Sequence, residues 1–400
     1  MKPILHPQMV EAMRLTRSGN LGAATAVIRR MLRARAASGP ANDDRQAQTS
    51  PLGWVAGLLD APTKLVAVPV QGRAQLDGGI GATLPGVHLP RAYSPAVSPK
   101  VLPDAERFVS ASFTSPAGSR AYKLYIPSSY CGKPLPLVVM LHGCTQSPDD
   151  FAAGTRMNSV GEERAMFVAY PAQPASANGS KCWNWFNPGD QQRNCGEPSL
   201  IAGITRQIVR DYAIDTRRIY VAGLSAGGAA AAIMGRAYPD LYAAVGVHSG
   251  LPCGAARDLP SALTAMKRGS PGVASPSNCS STIPRSGCMA PTIVFHGDKD
   301  TTVHPQNGLH VIEQLKSAQP AELRQVTQNG RVTGGHGYSR TRHLDAANRA
   351  VLEMWVVHGA SHAWSGGNAA GTYTDPLGPD ASREMVRFFL EHAHPAAPSI

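Results

Sequence analysis

Between the apolar run Arg218-Ile219-Tyr220-Val221-Ala222 and an alanine-rich stretch stands Gly223-Leu224-Ser225-Ala226-Gly227. The pattern is short enough to occur by chance, but it sets a serine at a corner where a strand must turn sharply into a helix. Small residues on both sides let the backbone reverse and lift the serine Oγ clear of the sheet. The free N–H groups of the following helix point at any oxyanion that forms there. A plain glycine-rich turn has the same local signature, so the meaning of the motif rests on the partners available further along the chain.

A serine hydroxyl is a poor nucleophile near neutral pH and needs a base, itself oriented by an acid. At a strand-to-helix elbow the chain order is serine, then Asp or Glu, then His, each after a strand. Pro291-Thr292-Ile293-Val294-Phe295-His296-Gly297 reads as a buried strand running into Asp298-Lys299-Asp300. Val351-Leu352-Glu353-Met354-Trp355-Val356-Val357 reads as another, ending in His358-Gly359-Ala360-Ser361-His362. The order and the strand-end positions fit Ser225 as nucleophile, His362 as general base and Asp300 as the carboxylate that orients it. Asp298 competes with Asp300, and one of the two is a candidate for a turn-forming role. Asp300 is favoured because a loop must rise off the sheet before it faces the next strand's histidine. His358 competes with His362 but directly ends its strand, where local packing is its expected role. His142, His248, His296, His336 and His343 read as structural or exposed.

A second oxyanion donor belongs on the loop after an earlier strand. The run Leu135-Pro136-Leu137-Val138-Val139-Met140-Leu141 followed by His142-Gly143-Cys144-Thr145-Gln146 supplies that element. The expected oxyanion hole is the N–H of Cys144 with that of Ala226. Nothing positively charged adjoins Cys144 to lower its pKa, so its thiol is not read as the nucleophile.

These pieces resemble the polyhydroxybutyrate depolymerase family of serine esterases. The likeness rests on Leu141-His142-Gly143-Cys144-Thr145-Gln146, Cys182-Trp183-Asn184-Trp185, Gly223-Leu224-Ser225-Ala226-Gly227, His296-Gly297-Asp298-Lys299-Asp300 and Ser361-His362-Ala363-Trp364-Ser365-Gly366-Gly367, in the family's order. It implies an α/β-hydrolase fold, with the acid on the second aspartate (Asp300), the base on His362 and the oxyanion loop at Cys144. It also implies hydrolysis of short-chain hydroxyalkanoate polyesters or related esters without metal or cofactor. Acetylxylan and feruloyl esterases have similar cores. Secreted polymer-degrading members usually carry a polymer-binding domain after the catalytic one. This sequence ends soon after a helix expected over residues 380–392, so soluble oligomers, amorphous polymer and small esters are the expected substrates.

Four hundred residues, 43% apolar and 16% charged, can bury a large sheet and exclude whole-chain disorder. The formal net charge of +11 comes from scattered Lys and Arg without interleaved exposed aromatics, so solubility or general attraction to acidic surfaces is a better reading than nucleic-acid binding. No apolar stretch is long enough for a transmembrane helix. The N-terminus lacks the apolar core of a secretory signal. Seven cysteines without a CxxC pair point instead to disulfides and an oxidising, extracellular or periplasmic setting. Cys182 with Cys195 would close the tryptophan-rich loop, a bridge worth about 3 kcal/mol. Cys253 would join Cys279 or Cys288, leaving Cys144 as a free thiol.

Three segments are expected. Residues 1–35 read as two short helices with a basic outer face; a helical hairpin with a solvated face is favoured over docking to a polymer granule. Residues 36–102 read as a linker rich in Ala, Gly, Pro and Ser. Residues 103–395 hold the catalytic domain, a doubly wound, mostly parallel α/β sheet with its site at the carboxyl ends of the strands. Strands are expected at 108–113, 121–126, 135–141, 166–170, 219–224, 243–247, 292–295 and 352–357, with a helix at 200–212. Gln328-Asn329-Gly330 reads as the turn of an inserted hairpin. Trp183, Trp185 and Trp364 are candidates for a flat apolar wall against the substrate, with core packing as the alternative. The leading function is a serine esterase working through an acyl-enzyme. The alternatives are a carbohydrate esterase, and a non-catalytic polymer- or granule-binding protein.

Overall fold

The computed structural model describes residues 107–270, 289–319 and 321–395. The expected N-terminal helices and linker, and Cys279 and Cys288, lie outside the described residues.

Runs of Val, Ile, Leu and Phe form the central strands β3 (Leu135–Leu141), β4 (Phe167–Pro171), β5 (Ile214–Leu224), β6 (Ala244–His248), β7 (Thr292–Gly297) and β10 (Ala350–His358). The unbroken burial of stretches such as Leu137–Leu141, Phe167–Pro171, Ile219–Leu224 and Thr292–Gly297 is what a parallel sheet covered on both faces requires. The strands β1 (Phe108–Ser115), β2 (Gly118–Tyr125), β8 (Arg324–Arg331) and β9 (Gly337–Leu344) flank them. The order is β1-β2-β4-β3-β5-β6-β7-β10-β9-β8, with parallel pairing from β4 to β10 and antiparallel pairing at both margins.

Alternation along β3 divides the core. Leu137, Val139 and Leu141 join one apolar cluster, Val138 and Met140 the other. The first is covered by α3 (Gly196–Asp211), α4 (Ala226–Ala237) and α6 (Gln306–Ser317). The second is covered by α1 (Pro148–Thr155), α2 (Met157–Glu163) and α7 (Ala381–Leu390). Helix α5 (Leu259–Arg268) lies between β6 and β7 in the chain. Its cap is reciprocal: Asp258 accepts from Ser261 N–H, and the Ser261 side chain answers the Asp258 backbone.

One local expectation is corrected. Gln328-Asn329-Gly330 is not a turn; it lies within β8, which pairs with β9 through Arg331. Asn329 faces Ser339, and a Cβ on Gly330 would sit 2.5 Å from the Tyr338 ring. The glycine makes room for an aromatic ring rather than for a bend. The chain reverses over residues 332–336 instead.

Candidate active site

Ser225 stands between β5 and α4 with φ 58° and ψ −118°, a backbone conformation held against its steric cost. The flanking glycines are there for close approach. A Cβ on Gly223 would lie 2.3 Å from the Gly227 backbone, and one on Gly227 would lie 2.0 Å from the Leu141 carbonyl oxygen. The loop after β3 reaches ordinary contact with the serine: a Cβ on Gly143 would stand 3.7 Å from Ser225 Cβ.

Asp300 and His362 meet. The imidazole Nδ1–H donates to Asp300 Oδ2 at 2.6 Å, which leaves Nε2 as the acceptor nitrogen. The other carboxylate oxygen accepts from the N–H groups of Thr302 (2.9 Å) and Val303 (2.8 Å). Burial pushes this carboxyl up, but hydrogen bonds from His296 and His362, the His362 charge and the Val303 amide outweigh it, so it titrates well below the usual range. Asp298 and His358 form a separate pair, Oδ2 to Nδ1 at 3.2 Å, and Asp298 Oδ1 accepts from Gly359 N–H at 2.7 Å. The two candidate acids and two candidate bases therefore sort into an inner and an outer couple.

Three histidines read from sequence as structural or exposed tie the site together. The Ser225 N–H donates to the His248 carbonyl (2.9 Å), while His248 Nε2 accepts from Ser365 N–H (2.9 Å). One residue at the end of β6 thus links the serine turn to the loop that carries His362. Burial, then the charges of His296 and His362, push the His248 pKa down to about 3, so its ring is neutral and able to accept. His142 works in the same way: Nε2 accepts from Gln173 N–H (3.1 Å) and Nδ1–H donates to the Gly143 carbonyl (2.7 Å). Burial lowers its pKa to about 4. His296 Nε2–H donates to the Val303 carbonyl at 2.9 Å, fixing the loop that bears Asp300. Their shared signal in the sequence is position, since each falls at or just beyond the end of a parallel strand.

The cysteine expectations need correction. Cys144 is bonded to Cys182, with an S–S distance of 2.03 Å; Cys195 is not its partner, and Cys144 is not a free thiol. The strands β3 and β4 are neighbours in the sheet, so the loops after them lie side by side at its carboxyl edge. The bridge joins the Gly143–Gln146 loop to the aromatic loop, helped by Thr145 N–H to the Ser180 carbonyl (2.7 Å) and Trp183 Nε1–H to the His142 carbonyl (3.1 Å). Among the described residues, the N–H groups of Cys144 and Ala226 have no acceptor.

A cavity of about 390 Å³ opens beside Ser225, lined by Trp185, Phe186, Leu251, Ala262, Met266 and Val303 among others. Leu259 and Leu263 of α5, 56% and 54% exposed, form its lip. Of the three tryptophans, Trp185 lines the cavity. Trp183 and Trp364 do not: both are buried, Trp183 hydrogen-bonded to His142 and Trp364 stacked on His248 with its Nε1–H on Ser382 Oγ (3.1 Å). Among the described residues no His, Cys, Asp or Glu cluster suits a metal ion, and no helix is long and apolar enough to cross a membrane.

The fold and the site define a class. The chain has the α/β-hydrolase fold: the acetyl xylan esterase from Aspergillus awamori superposes with a TM-score of 0.55 over 71% of this chain and 99% of that one, at 19% identity. Residues 120–321 match the family described as Esterase PHB depolymerase, and the chain belongs to that family. It is 32% identical over 272 residues to poly(3-hydroxyalkanoate) depolymerase C of Paucimonas lemoignei, covering 65% of this chain and 63% of that protein. It is 31% identical over 139 residues to feruloyl esterase B of Neurospora crassa, covering 34% of this chain and 46% of that protein. In both cases the chain spans less than two thirds of the relative's own length.

Proposed function

We propose that this protein is a serine esterase that cleaves short-chain esters and oligo- or poly(3-hydroxyalkanoates) through an acyl-enzyme. The observation that carries the reading is the buried 2.6 Å Asp300–His362 couple at the sheet edge that also bears the Ser225 elbow. In this mechanism His362 Nε2 takes the Ser225 proton as Oγ attacks the ester carbonyl. The N–H groups of Cys144 and Ala226 receive the developing oxyanion. The C–O bond to the alcohol then breaks and His362 returns the proton to that leaving group. Water, deprotonated by the same imidazole, releases the acid and restores the serine. No metal or cofactor enters these steps.

The cavity supports the substrate class. Its walls are mainly alkyl and aromatic, with Asn178 and Ser180 among the few polar side chains. An acyl chain gains from such walls, whereas a sugar needs hydrogen-bonding partners. A hydroxyalkanoate unit, a short alkyl branch beside an ester, fits this balance better than acetylated xylan does. The test is a turnover series on 3-hydroxybutyrate oligomers, amorphous polyester film, acetylated xylan, feruloylated arabinose and p-nitrophenyl butyrate. Turnover of oligomers and butyrate that Ser225→Ala abolishes, without change in the thermal melt, is expected. Turnover that survives Ser225→Ala would overturn the mechanism. A preference for acetylated xylan would overturn the substrate class.

A further inference from the structure

We infer that Gln146 is a positioning residue that holds the oxyanion amide and joins it to the loop bearing the base; this rests on the esterase reading above. Gln146 is 2% exposed and touches no atom of the catalytic trio in the hydrogen-bond network. Its Oε1 accepts from Gly143 N–H at 2.8 Å, while its Nε2 faces Asp150 Oδ2 (2.9 Å) and the Thr372 carbonyl (3.1 Å). An ionised carboxylate only accepts, so Asp150 dictates which end of the carboxamide points where. Asp150 is held in turn by Thr372, whose N–H (2.9 Å) and hydroxyl (2.6 Å) both donate to it.

The consequence falls on the next peptide. In a trans amide the C=O and N–H point in opposite directions, so fixing the Gly143 carbonyl fixes the Cys144 N–H. That carbonyl accepts from His142 Nδ1–H at 2.7 Å. Gln146 therefore anchors Gly143 at its nitrogen while His142 anchors it at its oxygen, and the Cys144 N–H is left aimed outward. Through Thr372 the same side chain ties this loop to the segment after His362, where Trp364 N–H donates to the Tyr373 carbonyl at 2.7 Å. An oxyanion donor acts on charge that develops in the transition state, so loosening it lowers kcat and leaves KM alone.

The test exploits the choice of proton. Gln146→Glu keeps the shape but sets a second carboxylate against Asp150. Asp149, His142, Lys181 and Tyr373 are the other titratable groups on the surrounding segments. Like charge and burial raise the pKa of such a glutamate, and once protonated it donates to Asp150 and still accepts from Gly143. For p-nitrophenyl butyrate, Gln146→Glu at pH 8 is expected to show kcat lowered about 10- to 100-fold with KM unchanged. The ratio of its kcat to that of the unaltered enzyme should climb several-fold by pH 5. Gln146→Glu combined with Asp150→Asn, whose carboxamide can donate to the new carboxylate, should recover most of kcat at pH 8. A flat ratio with pH in a protein that melts normally, or no recovery in the double variant, would overturn the inference. Failure of the esterase reading looks different, since Ser225→Ala would then keep its turnover while Gln146 variants are irrelevant.

Discussion

The loop after β7 and the turn after β10 make two Asp–His couples from nearly the same materials, and they are not equivalent. In the inner couple the side chains are 0% exposed for Asp300 and 10% for His362; in the outer one they are 34% for Asp298 and 47% for His358. The inner distance is 2.6 Å, the outer 3.2 Å. Asp300 also collects two backbone N–H groups, so its charge is held in one orientation away from water. Asp298 stays in line with the strand: its N–H donates to the Val357 carbonyl (3.1 Å), and its carboxylate pins the Gly359 turn. His358 turns its Nε2 to Ser339 Oγ at 2.8 Å, within the outer hairpin and away from the serine turn. Residue type is the same in the two couples; desolvation and direction separate them.

The largest test of that contrast is kinetic. Asp300→Asn should lower kcat on p-nitrophenyl butyrate by about 10³- to 10⁴-fold, because the wrong histidine tautomer is then favoured. Asp298→Asn should cost less than about 10-fold in the same assay. Equal losses would erase the distinction. A second test uses acid. Asp300 and the neutral histidines His142 and His248 all have pKa values below their ordinary ones. Depressed groups stabilise the fold above their unfolded pKa and lose that contribution as pH falls toward the folded value. Stability should therefore fall from about pH 6.5 toward pH 4 as unfolded histidines take up protons that the folded ones refuse. Each contributes up to about 1.4 kcal/mol per pH unit. Urea melts across that range should show the slope, and His248→Asn should reduce it by up to one proton. The Asp300 contribution is lost only below about pH 4. The smallest expected effect belongs to the outer couple: His358→Gln should change unfolding free energy by less than about 1 kcal/mol, as befits an exposed pair. A larger loss would mean that the outer couple supports the inner.

The sheet and its serine were legible because both are local. Runs such as Leu137–Leu141 leave little but a buried strand, and the small residues on both sides of Ser225 mark a sharp corner. Asp300 could be preferred over Asp298 because two further residues carry the loop off the strand. Pairings decided by neighbouring strand ends were not legible. Nothing in the spacing of Cys144, Cys182 and Cys195 says that β3 and β4 adjoin, and that adjacency selects the bridge. Asn329-Gly330 carried a turn signal that the β8–β9 ladder overrode. The work of His142, His248 and His296 was hidden because a buried imidazole that ties one loop to another leaves no pattern in the chain. Trp183 and Trp364 look in sequence like Trp185, and only burial separates them.

The most direct measurement is a fluorophosphonate labelling experiment read by peptide mass spectrometry on the unaltered protein, Asp300→Asn and Asp298→Asn. The adduct should form on Ser225 in the unaltered protein, form at near-normal rate in Asp298→Asn, and slow by orders of magnitude in Asp300→Asn. Labelling of another residue, or equal labelling rates in the two aspartate variants, would contradict the assignment of Ser225, His362 and Asp300 to one working unit.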